Sequence, residues 1–212
     1  MAKKKNKVKF NLCNCHYATV TVDQDTGAVT FGTPVPMPGA VSLSLDPTGE
    51  PEPFYADGVA YYMINNNQGY DGDLELALIP ESFRTDILKE TADSKGVLLE
   101  NVNSETAQFA FLFEFDGDVR KIRHVLYNCT ASRPSIASQT NEENKEVRTE
   151  TLSLKARSLA DGLVKAKTGD DVDETVYQNW YNEVYVPNTE TSTEQGGTTT
   201  DPEETDPAGT GD

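Results

Sequence analysis

Positive charge is what this 212-residue sequence has least of: 18 lysines and arginines stand against 35 aspartates and glutamates, for a formal net charge of −17. A surface so acidic repels polyphosphate and disfavours ordinary nucleic-acid binding. The one basic run, Lys3, Lys4, Lys5, Lys7 and Lys9, reads as a solvated terminus. Cysteine is also sparse, and Cys13, Cys15 and Cys129 make an odd count that fits reduced thiols and not a disulfide framework. No stretch approaches the ~20 apolar residues of a membrane helix. The N-terminus lacks the apolar core of a secretory signal, so the expectation is a soluble chain made in a cytoplasm, with no membrane partner.

Catalytic vocabulary is missing too. There is no G-x-S-x-G, Walker loop or dinucleotide fingerprint. His16 and His124 are the only histidines. Cys13-Asn14-Cys15-His16 puts both thiols on one strand face, and Cys129 could join them around zinc, but paired C-x-x-C knuckles are absent; small buried strand residues are the simpler reading. Asp71-Gly72-Asp73 and Asp116-Gly117-Asp118 do not continue to the acidic twelfth ligand of a calcium loop and read as turns. Acidic pairs such as Glu142-Glu143 and Asp170-Asp171 sit in polar loops, where burial cannot tune a carboxylate for proton transfer. These absences predict a chain that is not an enzyme, with no catalytic residue, metal or cofactor.

What the sequence does contain is strand after strand between Val8 and Lys167. Thr19–Val22 alternates, Asp23–Gly27 turns, and Ala28–Phe31 resumes, which is a hairpin pattern. Val41, Leu43 and Leu45 share one face of a half-buried strand; Asp46–Pro53 breaks it, and Val59–Ile64 follows. Asn65, Asn66, Asn67, Gln68, Gly69, Tyr70, Asp71 and Gly72 are too polar and Gly-rich for a strand interior and predict a loop that could face a partner. Asp73–Leu78 alternates with Leu74, Leu76 and Leu78 inward and Asp73 and Glu75 outward. Pro80 opens a helix whose Phe83, Ile87 and Leu88 fall on one face. Phe109, Phe111, Phe113 and Phe115 line one face of the next strand and read as core, with a turn at Asp116–Asp118 into Val119–Tyr127. Glu150–Arg157 and Leu163–Lys167 are two more strands. Asp173–Asn182 is a short helix whose Trp180 and Tyr181 could dock on the sheet or on a neighbour.

The order of these words resembles the major tail protein family, the tail tube subunits of long-tailed, siphovirus-type bacteriophages. The resemblance spans roughly Val8 to Lys167. It rests on Lys9-Phe10-Asn11-Leu12 leading to His16-Tyr17-Ala18, Phe31-Gly32-Thr33-Pro34, Ala40 to Leu45, and the helix segment with Asp93-Ser94-Lys95-Gly96-Val97. Arg123-His124-Val125-Leu126-Tyr127-Asn128-Cys129 and Arg133-Pro134 complete it. It implies a mainly β fold of the tail-tube type, an antiparallel β-sandwich or barrel with one flanking α-helix. It also implies a structural role in the virion tail: hexameric rings stacked head-to-tail into a tube through which DNA passes without specific binding. Tail initiator, tape measure and tail terminator proteins would be the other partners. Under that resemblance Asn65 to Asp71 is an inter-ring loop, Asp73 and Glu75 line the channel, and Trp180 and Tyr181 are subunit contacts.

Residues 1–187 are expected to form the tube domain and 188–212 a disordered acidic tail. The tail has seven acidic residues, no basic ones and no aliphatic larger than alanine, and it leaves the rest of the chain at −10. It is expected to be a solvated bristle. From another class, a secreted carbohydrate-binding β-sandwich would also be acidic, Thr-rich and aromatic; it would need a signal peptide and an exposed aromatic platform.

Overall fold

The computed structural model describes residues 4–140 and 147–187. The proposed tail, 188–212, lies outside the described residues. The chain begins with a long strand β1 (Lys9–Val22), then β2 (Val29–Phe31), β3 (Val35–Pro36) and β4 (Ala40–Thr48). A separate ribbon follows, β5 (Glu52–Ala56) and β6 (Val59–Ile64), before β7 (Gly69–Leu76) returns along β4. After helix α1 (Glu81–Asp86) come a small hairpin, β8 (Thr91–Ala92) with β9 (Leu98–Leu99), and the central pair β10 (Phe109–Gly117) and β11 (Ile122–Ala131). Strands β12 (Glu150–Arg157) and β13 (Lys165–Lys167) and helix α2 (Glu174–Asn179) complete the described fold.

The main sheet is antiparallel, in the order β2-β1-β10-β11-β12-β7-β4, with β13 beside β11 and β3 beside β1. It curls until β4 lies against β1, but no ladder joins those two, so it stays open and is not a barrel. The expectation of a mainly β, antiparallel fold holds; among the described residues the flanking helix expected after Pro80 is α1, and the short helix expected over Asp173–Asn182 is α2. None of these helices is long and apolar enough to cross a membrane.

Each side of the sheet has a core. Inside the curl, Tyr17, Leu74, Leu76, Phe109, Phe111, Phe113, Leu152 and Leu154 pack with Phe83, Ile87 and Leu88 of the α1 segment. On the opposite face Ala18, Ala110, Leu112, Val125 and Tyr127 pack under Trp180 and Val184. Strand β10 is therefore buried on both faces, and its phenylalanines are core as their alternation predicts.

The register departs from simple alternation where extra residues enter. A bulge between Ala40 and Ser42 turns Val41 out to solvent, while Leu43 and Leu45 keep the inward face. Strand β7 stops at Leu76, so Leu78 is exposed and Ile79 takes the buried place. Asn11 and Asn14 adopt φ of 52° and 55°, and each coincides with a register shift in the β1–β10 pairing. The second bulge separates the thiols: Cys15 joins the inner core, whereas Cys13 turns toward Glu114 and Lys121. The expected shared cysteine face does not form.

The loop predicted over Asn65 to Gly72 is also shorter than expected. Gly69 and Gly72 belong to β7 because the neighbouring backbones come too close for a side chain: a Cβ would strike the Ala156 carbonyl at Gly69 and the Ser44 carbonyl at Gly72.

Candidate functional site

Seven of the exposed large apolar side chains among the described residues belong to the β5–β6 ribbon. Its turn is Asp57-Gly58, both at positive φ (51° and 78°), as a tight two-residue hairpin requires. The register pairs Phe54 with Tyr62 and Pro53 with Met63, which places apolar side chains on both faces of the ribbon. Phe54, Tyr55, Val59, Tyr61, Tyr62, Met63 and Ile64 are all exposed, Tyr61 at 73%. An isolated two-stranded hairpin is marginal in water, and one so apolar calls for a covering partner. The Asp-Gly signature between two apolar runs was legible in the sequence, yet the Pro-rich approach at Pro51 and Pro53 masked β5.

Asn65 to Gln68 form the ribbon's return to the sheet and are exposed. Gln68 N donates to Thr48 O at 2.9 Å, and Gly69 N to Asn67 Oδ1 at 3.1 Å, which fixes the base of the arm. Tyr70 and Asp71 sit within β7, where Asp71 pairs with Arg157; that guanidinium holds the carboxyl below its usual range.

Asp73 and Glu75 lie on the solvent side of β7, among hydroxyls. Ser153 Oγ donates to Asp73 at 2.7 Å and Ser42 Oγ to Glu75 at 2.8 Å. Hydrogen bonds from Thr149 and then Ser42 hold the Glu75 carboxyl below its ordinary range, so this face stays anionic. The result is a face across β4, β7 and β12 on which carboxylates and small hydroxyls predominate, with Lys155 opposite Asp71.

Trp180 and Tyr181, expected to dock on the sheet or on a neighbour, both pack against the sheet of their own chain. Trp180 is 2% exposed, donates to His124 O and stacks on Tyr185 at 5.7 Å. Tyr181 packs its ring on His16 at 4.6 Å and donates to Glu114 Oε2 at 3.2 Å. Glu114 also receives Lys121 Nζ at 2.8 Å and Arg123 Nε at 3.1 Å, while Arg123 lies over the Tyr177 ring. This buried knot, invisible to sequence reasoning, fastens α2 to the sheet. Among the described residues no three His, Cys, Asp or Glu side chains gather as a metal site.

Compared with known proteins, the chain matches no protein-family model and no curated protein.

Proposed function

We propose that this protein is a structural subunit of a long-tailed bacteriophage tail tube, in which copies close into hexameric rings that stack head-to-tail around a channel for DNA. The observation that carries this reading is the β5–β6 arm: a ribbon apolar on both faces, standing away from a curled antiparallel sheet, is built for contact with further copies. The anionic wall at Asp73 and Glu75 supports a channel lining, because a lumen that bound phosphates would release counterions and hold the DNA. Ring stacking is heterologous, so a stack grows until another protein stops it; tail initiator, tape measure and terminator proteins are the partners this reading calls for. Its place is the virion tail, after synthesis in the host cytoplasm.

The exposed aromatics also bear on a carbohydrate-binding module. That alternative needs one platform, however, and the ribbon divides its aromatics between two faces. Electron microscopy of the concentrated protein in high salt, with light scattering for subunit number, tests the tube reading. Hollow six-fold rings or tubes are the expected outcome. A protein that stays monomeric there, with its arm tyrosines as accessible as in dilute solution, overturns it; Asp73 and Glu75 on the outer wall would remove the channel assignment alone.

A further inference from the structure

The curled sheet leaves an opening where its strands fail to pair. Strand β1 lies against β4 without a ladder, and β12 pairs with β11 only from Asn128 to Ala131, β13 taking its place from His124 to Leu126. Strands β1, β4, β7, β10, β11 and β13 surround the resulting cavity of about 330 Å³, which opens from the inner core. Ligand pockets begin at roughly this size, and the mouth of a curved sheet is a common place for them.

The wall of the cavity is apolar and its rim is basic. Phe113 stacks on His124 at 5.0 Å, and Phe115 meets His124 edge-on at 5.3 Å, with Leu43 and Leu45 on another side. Lys9 Nζ stands 4.7 Å over the Phe115 ring, and Lys165 Nζ stands 4.3 Å over Tyr70 and bonds its hydroxyl. An ammonium has three donors, so Lys165 keeps some for another acceptor. Lys167 is the cross-strand partner of His124 and adds charge beside them.

Among the described residues no carboxylate lines this cavity, and none stands at ion-pair distance from Lys9, Lys165 or Lys167. By contrast Arg84, Lys121, Arg123 and Arg157 each have one. In a chain where acids outnumber bases, three cations grouped without counter-charge favour an anion from outside. His124 responds to the same field: burial first, then Lys167, Lys9 and Lys165, push its imidazole down to about 4.

We infer that this mouth binds a small apolar acid, its single carboxylate or sulfonate head on the lysine rim and its apolar body against Phe113, Phe115 and His124. The two halves of the site select the two halves of the ligand. A neutral hydrocarbon would leave the lysines without a counter-charge, and a bare inorganic anion would leave the apolar wall uncovered. A polyphosphate is opposed by the net charge of −17, which a single negative head meets far less. The inference does not rest on the tail-tube reading.

The test is an NMR titration of the ¹⁵N-labelled full chain, dilute enough to be monomeric by light scattering, with 2-naphthoate, its neutral counterpart 2-naphthamide, and acetate. The expected result is a saturable shift of the His124–Leu126 and Lys165–Lys167 amides with 2-naphthoate. Its affinity should exceed that of the amide and of acetate by about tenfold or more, the factor given by one charge-assisted contact or one buried ring. The preference over the amide should narrow in 1 M salt, where the Debye length is about 3 Å. Lys9→Gln with Lys165→Gln should bring 2-naphthoate down to the level of the amide. Equal affinity for acid and amide in the parent chain overturns the proposal, as does equal affinity for acetate or the absence of a saturable shift. Shifts confined to Phe54–Ile64 would put the probe on the arm, and shifts of the mouth amides with protein concentration alone would give the mouth to a second copy; each overturns it too. The comparison of probes needs no variant, so misfolding cannot imitate it, and failure here leaves the tube reading untouched.

Discussion

Glu114 is 2% exposed and accepts from Lys121, Arg123 and Tyr181. Replacing this buried, fully partnered carboxylate leaves Arg123 without its counter-charge and Lys121 with Asp116 alone, so Glu114→Gln is expected to cost about 3 kcal/mol. Urea unfolding with an unchanged slope measures it, and a loss under about 1 kcal/mol would mean the knot is effectively solvated. His124 gives a pH dependence of definite sign. Burial and then Lys167, Lys9 and Lys165 depress its folded pKa to about 4 from an ordinary 6.5, so the unfolded chain takes the proton first. The contribution of the neutral ring is complete above pH 6.5 and is lost as pH falls from there toward 4. Midpoint measurements across that window should show the fall, and His124→Phe should flatten it; a variant that tracks the parent would assign the acid sensitivity elsewhere. Neither role was legible in the sequence. Glu114 reads as the solvent-side partner of the phenylalanines, and only the arrival of α2 from about sixty residues later buries it.

Among the elements, those with strict period and a local turn were legible and those shaped by distant backbone were not. Glu150–Arg157 is a strand over its full predicted length, and the Asp23–Gly27 hairpin forms with Asp23 Oδ1 accepting from Asp25 and Thr26. Phe83, Ile87 and Leu88 are buried as their spacing requires. By contrast, the bulges at Asn11, Asn14 and Ala40 invert faces, and the Gly69–Gly72 strand exists only because Ser44 and Ala156 approach it. One local rule is broken outright: Lys89, just past α1, has φ 61° where glycine is usual. Lys89→Gly is expected to raise stability by about 0.5–1 kcal/mol, read as a higher unfolding midpoint; a decrease would mean that the lysine stem contributes packing. The arm should behave in the opposite way. Tyr61→Ser with Tyr62→Ser removes exposed surface only, so the monomer's midpoint should stay within about 0.5 kcal/mol while association is lost. Association at the parent level would take the arm out of the assembly contact.

At the scale of the whole molecule, the strand content was readable but the curl was not. It depends on β12 pairing with β7 across some eighty residues, and nothing in either strand names the other. Charge, which is fully legible, then sets how copies meet. Each carries −17, so approach is opposed by a repulsion whose range is about 30 Å at 0.01 M salt and about 3 Å at 1 M. The arm is apolar and gains from salts that strengthen burial of such surface. An association driven by the arm and resisted by net charge must therefore grow with ionic strength. One driven by pairing of opposite charges between copies must shrink, so the sign identifies which contact dominates. Light scattering and sedimentation across that range at fixed protein concentration should give a rising polymer fraction, with microscopy showing that the added mass is tubular. A fraction that is flat or falls contradicts the arm-driven account and makes pairing of opposite charges between copies the dominant contact.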